Sequence, residues 1–130
     1  MKVIALDYGS ARTGVAVSDP TGTLARPVGV VERASTDAGL TKLVELIARE
    51  EPERIVVGLP LTLRGARGAQ AEETERFVES LRARVTIPIE SFDERFTTSL
   101  AQQTAGRAAE DAQAAAHLLS SYLAWTTARS

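Results

Sequence analysis

The sequence predicts an α/β fold: a five-stranded mixed sheet with helices packed on both faces. Three observations carry this. The first 31 residues hold three short apolar runs separated by turn residues, which is a meander. From Leu40 onward, apolar residues at helical spacing alternate with apolar runs of strand length. The resulting order, βββαβαβαα, needs helical crossovers between the later strands and hence parallel pairing there. Three antiparallel strands from the meander plus two parallel strands make the sheet.

Val3-Ile4-Ala5-Leu6 is a continuous apolar run closed by Asp7-Tyr8-Gly9, the pattern of a strand buried on both faces. Gly9 to Gly14 forms a turn, and Val15-Ala16-Val17 returns as the second strand. Asp19-Pro20 and Thr21-Gly22 are turn dipeptides, after which Val28–Val31 supplies the third strand. Leu40, Leu43, Val44 and Ile47 stripe a first helix, with Ser35 or Thr36 as its cap and Pro52 just beyond its end. Ile55-Val56-Val57 reads as a buried strand ending at Gly58-Leu59-Pro60. A loop with Gly65 and Gly68 leads into a helix marked by Ala71, Thr74, Phe77, Val78 and Leu81. Val85, Ile87 and Ile89 alternate as a strand that ends near Phe92-Asp93-Glu94. Thr97 or Thr98 caps a short helix to about Ala105. Ala112, Ala115, Ala116, Leu119, Tyr122 and Leu123 then stripe the last helix, with Asp111 in its first turn.

The 130 residues fit one domain, 1–130. Composition narrows the chemistry. With no cysteine and a single histidine, His117, thiol nucleophiles, zinc ribbons, iron–sulfur clusters and multi-histidine metal sites are excluded. Chemistry is left to carboxylates, hydroxyls, arginines and a hard metal. The net charge of −2 argues against a strongly basic, nonspecific nucleic-acid binder. Of the 15 bases only Lys2 and Lys42 are lysines; the rest are arginines, suited to bidentate phosphate contacts. No run approaches the roughly 20 apolar residues of a membrane span, and Asp7 interrupts the N-terminal run before it could serve as a signal peptide. The expectation is a cytoplasmic protein with no membrane partner.

Three acids stand where elements end: Asp7 after the first strand, Glu94 (with Asp93 beside it) after the last, and Asp111 at the start of the final helix. Sites in α/β sheets lie outside the carboxyl ends of strands. Converging carboxylates repel unless protonated or neutralised. Mg2+ or Mn2+ takes oxygen ligands and keeps several waters. Two such ions about 3.5–4 Å apart activate water and stabilise the leaving oxygen of a phosphodiester. Arg12 in the first turn and Arg64 and Arg67 in the glycine loop are candidates for phosphate contacts. Gly9-x4-Gly14 lacks the lysine and the helix of a phosphate-binding P-loop. His117, Tyr122 and Trp125 read as core or rim of the last helix.

Leu6-Asp7-Tyr8-Gly9-Ser10-Ala11-Arg12-Thr13-Gly14-Val15-Ala16-Val17-Ser18-Asp19 resembles the first motif of the YqgF/RuvX family. Val56-Val57-Gly58-Leu59-Pro60-Leu61 with Gly65, Gly68 and Gln70 resembles the second. Phe92-Asp93-Glu94-Arg95-Phe96-Thr97-Thr98 resembles the third, and Asp111 with Ala114, Ala115, Leu119, Tyr122 and Leu123 the fourth. The motifs occur in family order along nearly the whole chain. Thr62 and Arg64 depart from the second motif, and Glu110 departs before the fourth. The resemblance implies an RNase H-like fold and a metal-dependent nuclease acting in Holliday junction resolution or 16S rRNA end maturation. It implies Asp7, Glu94 and Asp111 as catalytic and metal-binding carboxylates, with Asp93 the reserve in the third motif. Arg12, Arg64, Arg67 and Arg95 would hold the nucleic acid, either pre-16S rRNA or branched DNA. A junction cutter that nicks two symmetric strands would work as a homodimer. The alternative is a noncatalytic nucleic-acid-binding module on the same fold.

Overall fold

The computed structural model describes residues 1–60, 68–94 and 107–129. Eight elements follow one another: β1 (Val3–Asp7), β2 (Arg12–Ser18), β3 (Ala25–Glu32), α1 (Asp37–Glu50), β4 (Arg54–Leu59), α2 (Ala69–Arg82), β5 (Ile89–Asp93) and α3 (Arg107–Arg129). They build the expected mixed sheet, in the order β3-β2-β1-β4-β5. β1 pairs antiparallel with β2, and β2 with β3. β4 lies parallel to β1, and β5 parallel to β4.

β1 is central, which explains its unbroken apolar run. Alternate residues face opposite sides. Ile4 and Leu6 join Val15, Val17, Ile55 and Val57 beneath α1 and α2, contacted by Leu43, Ile47, Phe77 and Leu81. Val3 and Ala5 join Ala16, Val56 and Phe92 beneath α3, contacted by Ala115, Leu119 and Tyr122. Helices thus cover both faces, as expected. Among the described residues no helix is long and apolar enough to cross a membrane.

Local signals account for most boundaries. Thr36 caps α1 by accepting from the Gly39 amide at 3.1 Å, and the helix ends at Glu51 in a left-handed conformation ahead of Pro52. β3 runs longer than Val28–Val31. It carries Pro27 and a register shift opposite Val15/Ala16, both tolerated because β3 is an edge strand.

Two expectations change. The last strand is Ile89–Asp93, not a run beginning at Val85. Pro88 precedes it and cannot donate to a ladder; its carbonyl instead accepts from the Ile55 amide. Val85 and Ile87 pack at the margin of the α1/α2 core from outside the sheet. Asp111 is not in the first turn of the last helix. α3 starts at Arg107, so Asp111 lies beyond the four free amides of the N-terminus and has no capping role. The short helix expected from Thr97 or Thr98 to Ala105 falls outside the described residues.

Candidate active site

Strand alternation decides which acids meet. Ala5 faces α3, so Asp7, two residues on, faces α3 at the carboxyl end of β1. Phe92 packs under α3 against Tyr122 and Trp125, so Glu94 follows it on that face and Asp93 takes the other. The inward acid of the third motif is therefore Glu94.

Gly58 makes room for it. A Cβ at position 58 would stand 2.5 Å from the Glu94 carboxylate, so the side chain lies across β4 toward Asp7 only because that Cβ is missing. The carboxyl groups of Asp7 and Glu94 face each other within interaction range, an approach that favours a proton shared between them when no cation is bound. Burial is the main cause that raises both. Asp7 is also raised by the charge of Asp111. Glu94 reaches about 7, with Asp7 and Asp93 adding to the effect of burial.

Asp111 is delivered by a different glycine. A Cβ on Gly14 would collide with the Asp111 backbone carbonyl, so α3 rests directly on β2 at this point. The Asp111 carboxylate accepts from Arg12 Nε at 2.7 Å, and both side chains are about a third exposed or less. Asp111 acts on Asp7 through its charge, but among the described residues no three acids form a ligand cluster. Two oxygen donors in contact, with a third acid nearby, fit a hard divalent cation that keeps most of its waters. They do not fit a soft or nitrogen-preferring metal.

A cleft of about 230 Å3 opens beside the pair, lined by Asp7, Tyr8, Ser10, Pro60, Glu73 and Glu94 among others. Tyr8 stacks on Phe77 (4.5 Å, 21°) and donates to Glu73 Oε2 at 2.7 Å; Ser10 Oγ donates to the same oxygen at 3.0 Å. These two bonds hold the Glu73 carboxyl below its usual range. Sequence reading missed Glu73. It lies one helical turn before Phe77 on α2, and that i, i+4 spacing is the signal that marks it.

Of the arginines, Arg12 is at the site but engaged with Asp111. Arg64, Arg67 and Arg95 lie outside the described residues. His117 is half-buried on α3, Tyr122 is buried, and Trp125 borders the α3 core, as their sequence reading expected.

Two kinds of similarity bear on this arrangement. Thermus thermophilus RuvC, both alone and in complex with a Holliday junction, superposes with TM-scores of 0.61 and 0.62. The match covers 98% of this chain and 97% and 96% of those chains, at 17% and 16% identity, a likeness of fold alone. It bears out the expected RNase H-like architecture. A protein of Chloroflexus aurantiacus named "Putative pre-16S rRNA nuclease" is 41% identical over 101 residues, 78% of this chain and 66% of that protein. This chain thus spans just under two thirds of that relative. Namesakes from Desulforudis audaxviator and Moorella thermoacetica are 41% and 42% identical over 76% and 75% of this chain, each match covering 70% of the relative. The family model described as "RuvX: Holliday junction resolvase" matches residues 1–125, a span that includes Asp7, Gly14, Gly58, Glu94 and Asp111. With all four motifs inside one match, and the glycines of two of them shaping the acid cluster, the chain belongs to the RuvX (YqgF) family.

Proposed function

We propose that this chain is a nuclease that hydrolyses phosphodiester bonds in structured RNA at the ends of pre-16S rRNA. Asp7 and Glu94 would hold a divalent cation, Mg2+ or Mn2+, with Asp111 completing the set. The observation that carries the reading is the Asp7–Glu94 approach: two half-buried carboxylates brought together across Gly58 at the carboxyl edge of the sheet, beside an open cleft. Clustered negative charge gains nothing for phosphate binding alone, which speaks against a noncatalytic module. When bound, the cation supplies charge neutralisation and activation of the attacking water.

The residues divide the remaining work. Asp7, on β1 between β2 and β4, would anchor the cation from the central strand. Glu94, laid toward Asp7 across Gly58, would be the second ligand. The cleft walls, Tyr8, Ser10 and Glu73, receive the strand beside the scissile bond. Arg64, Arg67 and Arg95 hold flanking phosphates. The names of relatives at about 40% identity favour RNA. The family description favours branched DNA as a second substrate; nicking its two symmetric strands would call for two copies of the chain. Ribosomal RNA as substrate places the activity in the cytoplasm.

The test is cleavage of a pre-16S rRNA end and of a four-way DNA junction, with Mg2+ or Mn2+, by the chain and by Asp7→Asn. We expect cleavage that EDTA abolishes and Asp7→Asn lowers at least about 1,000-fold, in the range seen when a group acting in a catalytic unit is removed. Binding without cleavage under either metal, or full activity in EDTA, overturns the proposal.

A further inference from the structure

The Arg12–Asp111 pair has an unusual place. A cation from the protein itself sits on Asp111, the acid beside the Asp7–Glu94 pair, at 2.7 Å. It uses Nε alone; among the described residues the terminal nitrogens of the guanidinium make no hydrogen bond. A single bond to a partner that is about a third exposed is a weak hold for an arginine, whose strong contacts are two-pronged.

The two partners also differ in freedom. Asp111 is fixed through its backbone, because α3 rests on Gly14 with no room for a Cβ. Arg12 hangs on a long side chain at the first residue of β2, beside the turn that carries Ser10 into the cleft. If the pair parts, the arginine moves and the aspartate stays.

We infer that Arg12 is an exchange residue: it neutralises Asp111 until a divalent cation takes that carboxylate, and the released guanidinium then binds a phosphate of the substrate strand. This rests on the metal-dependent reading above and adds a role for one side chain. A divalent cation that takes the Asp111 carboxylate competes with the guanidinium for the same oxygens, and the two cations repel each other at contact distance. An incoming phosphodiester brings a negative charge that the guanidinium can meet with its unused fork. Cation binding and strand binding are thereby coupled: each favours the state in which Arg12 has left Asp111.

Two titrations test this without any turnover. The first is calorimetric titration of Mn2+ into the wild-type chain, Arg12→Gln, Arg12→Lys and Asp111→Asn. Arg12→Gln should bind Mn2+ about two- to five-fold more tightly, the worth of an exposed ion pair. Asp111→Asn should bind less tightly and become insensitive to Arg12→Gln in the double variant. The second is binding of a stem–loop RNA with and without Ca2+. The wild-type chain should gain affinity with Ca2+. Arg12→Gln should lose that gain, with a salt dependence lower by about one phosphate contact, and Arg12→Lys should restore part of it.

A merely structural Arg12 would move stability and neither titration. Mn2+ affinity unchanged or weakened in Arg12→Gln, or an undiminished Ca2+ gain, overturns the exchange role while leaving the metal-dependent reading intact. Failure of the wild-type chain to bind Mn2+ overturns both.

Discussion

Glu90 and Glu94 sit four residues apart on the same face of the same chain segment, one at each end of β5, and the fold treats them in opposite ways. Glu90 receives the Tyr122 hydroxyl at 2.8 Å and the Arg54 guanidinium at 3.3 Å, and Arg54 also donates to Tyr122 at 2.9 Å. The acid, the base and the phenol close on one another. Glu94 meets another acid, Asp7, under more burial, and its proton affinity rises to about 7. The first end satisfies its charge from within the chain. The second end leaves a debt that only a proton or an added cation settles. Such uncompensated burial of charge is common where a site binds something and rare where it only holds a fold together.

The comparison breaks most easily at Gly58. In Gly58→Ala the new Cβ would displace the Glu94 carboxylate, which is the flexible end of a side chain and can yield. Stability should therefore change little in thermal melts, while cleavage falls by about 100-fold, as expected for a reacting group shifted by about 1 Å. Unchanged cleavage would mean that the position of Glu94 is not what matters.

A smaller effect separates the ends by pH. An unfolded Glu94 ionises near 4.5, whereas the folded one keeps its proton to about 7. Folding therefore takes up a proton between these values. Stability of the metal-free chain should fall as pH rises from about 4.5 to about 7 and level off above. Glu94→Gln should flatten this slope and stabilise the metal-free chain at pH 8 by on the order of 1–2 kcal/mol, allowing for the solvent on its open side. Denaturant melts across that range check it, and a slope that persists in the variant contradicts the assignment.

At the other end Tyr122→Phe removes one hydroxyl from the closed network. Loss of about 1 kcal/mol, read from the denaturation midpoint, and no change in cleavage are expected. A large loss of cleavage would mean that the two ends are coupled.

Much of this was legible in advance. β1 and β4 announce themselves because central strands are apolar on both faces, and the Ser35-Thr36 pair because a cap needs a short side-chain oxygen; the fold uses Thr36. Asp7 and Glu94 stood out because each falls at or beside a strand end, whereas Asp111, read as a helix-start acid, lies a turn inside α3. β5 was misplaced because it is an edge strand whose outer stretch carries Glu90 and Ser91. Their polarity makes sense only once Arg54 and Tyr122 are seen across from Glu90. The choice between Asp93 and Glu94 was within reach, since Phe92 sets the alternation. Glu73 was not read as a site residue because acids on helices are ordinary, and its partners Tyr8 and Ser10 lie more than 60 residues away.

The sequence by itself determined the five-strand mixed architecture and put Asp7, Glu94 and Asp111 forward as candidates, because hydrophobic period and turn chemistry are local properties of the chain. Tertiary structure alone decided which acids touch. Gly58 admits Glu94 to Asp7 across a parallel strand, and Gly14 seats α3 so that Asp111 meets Arg12 rather than joining them. Those outcomes depend on gaps of one Cβ between segments distant in sequence, and a gap exists only once the segments have packed.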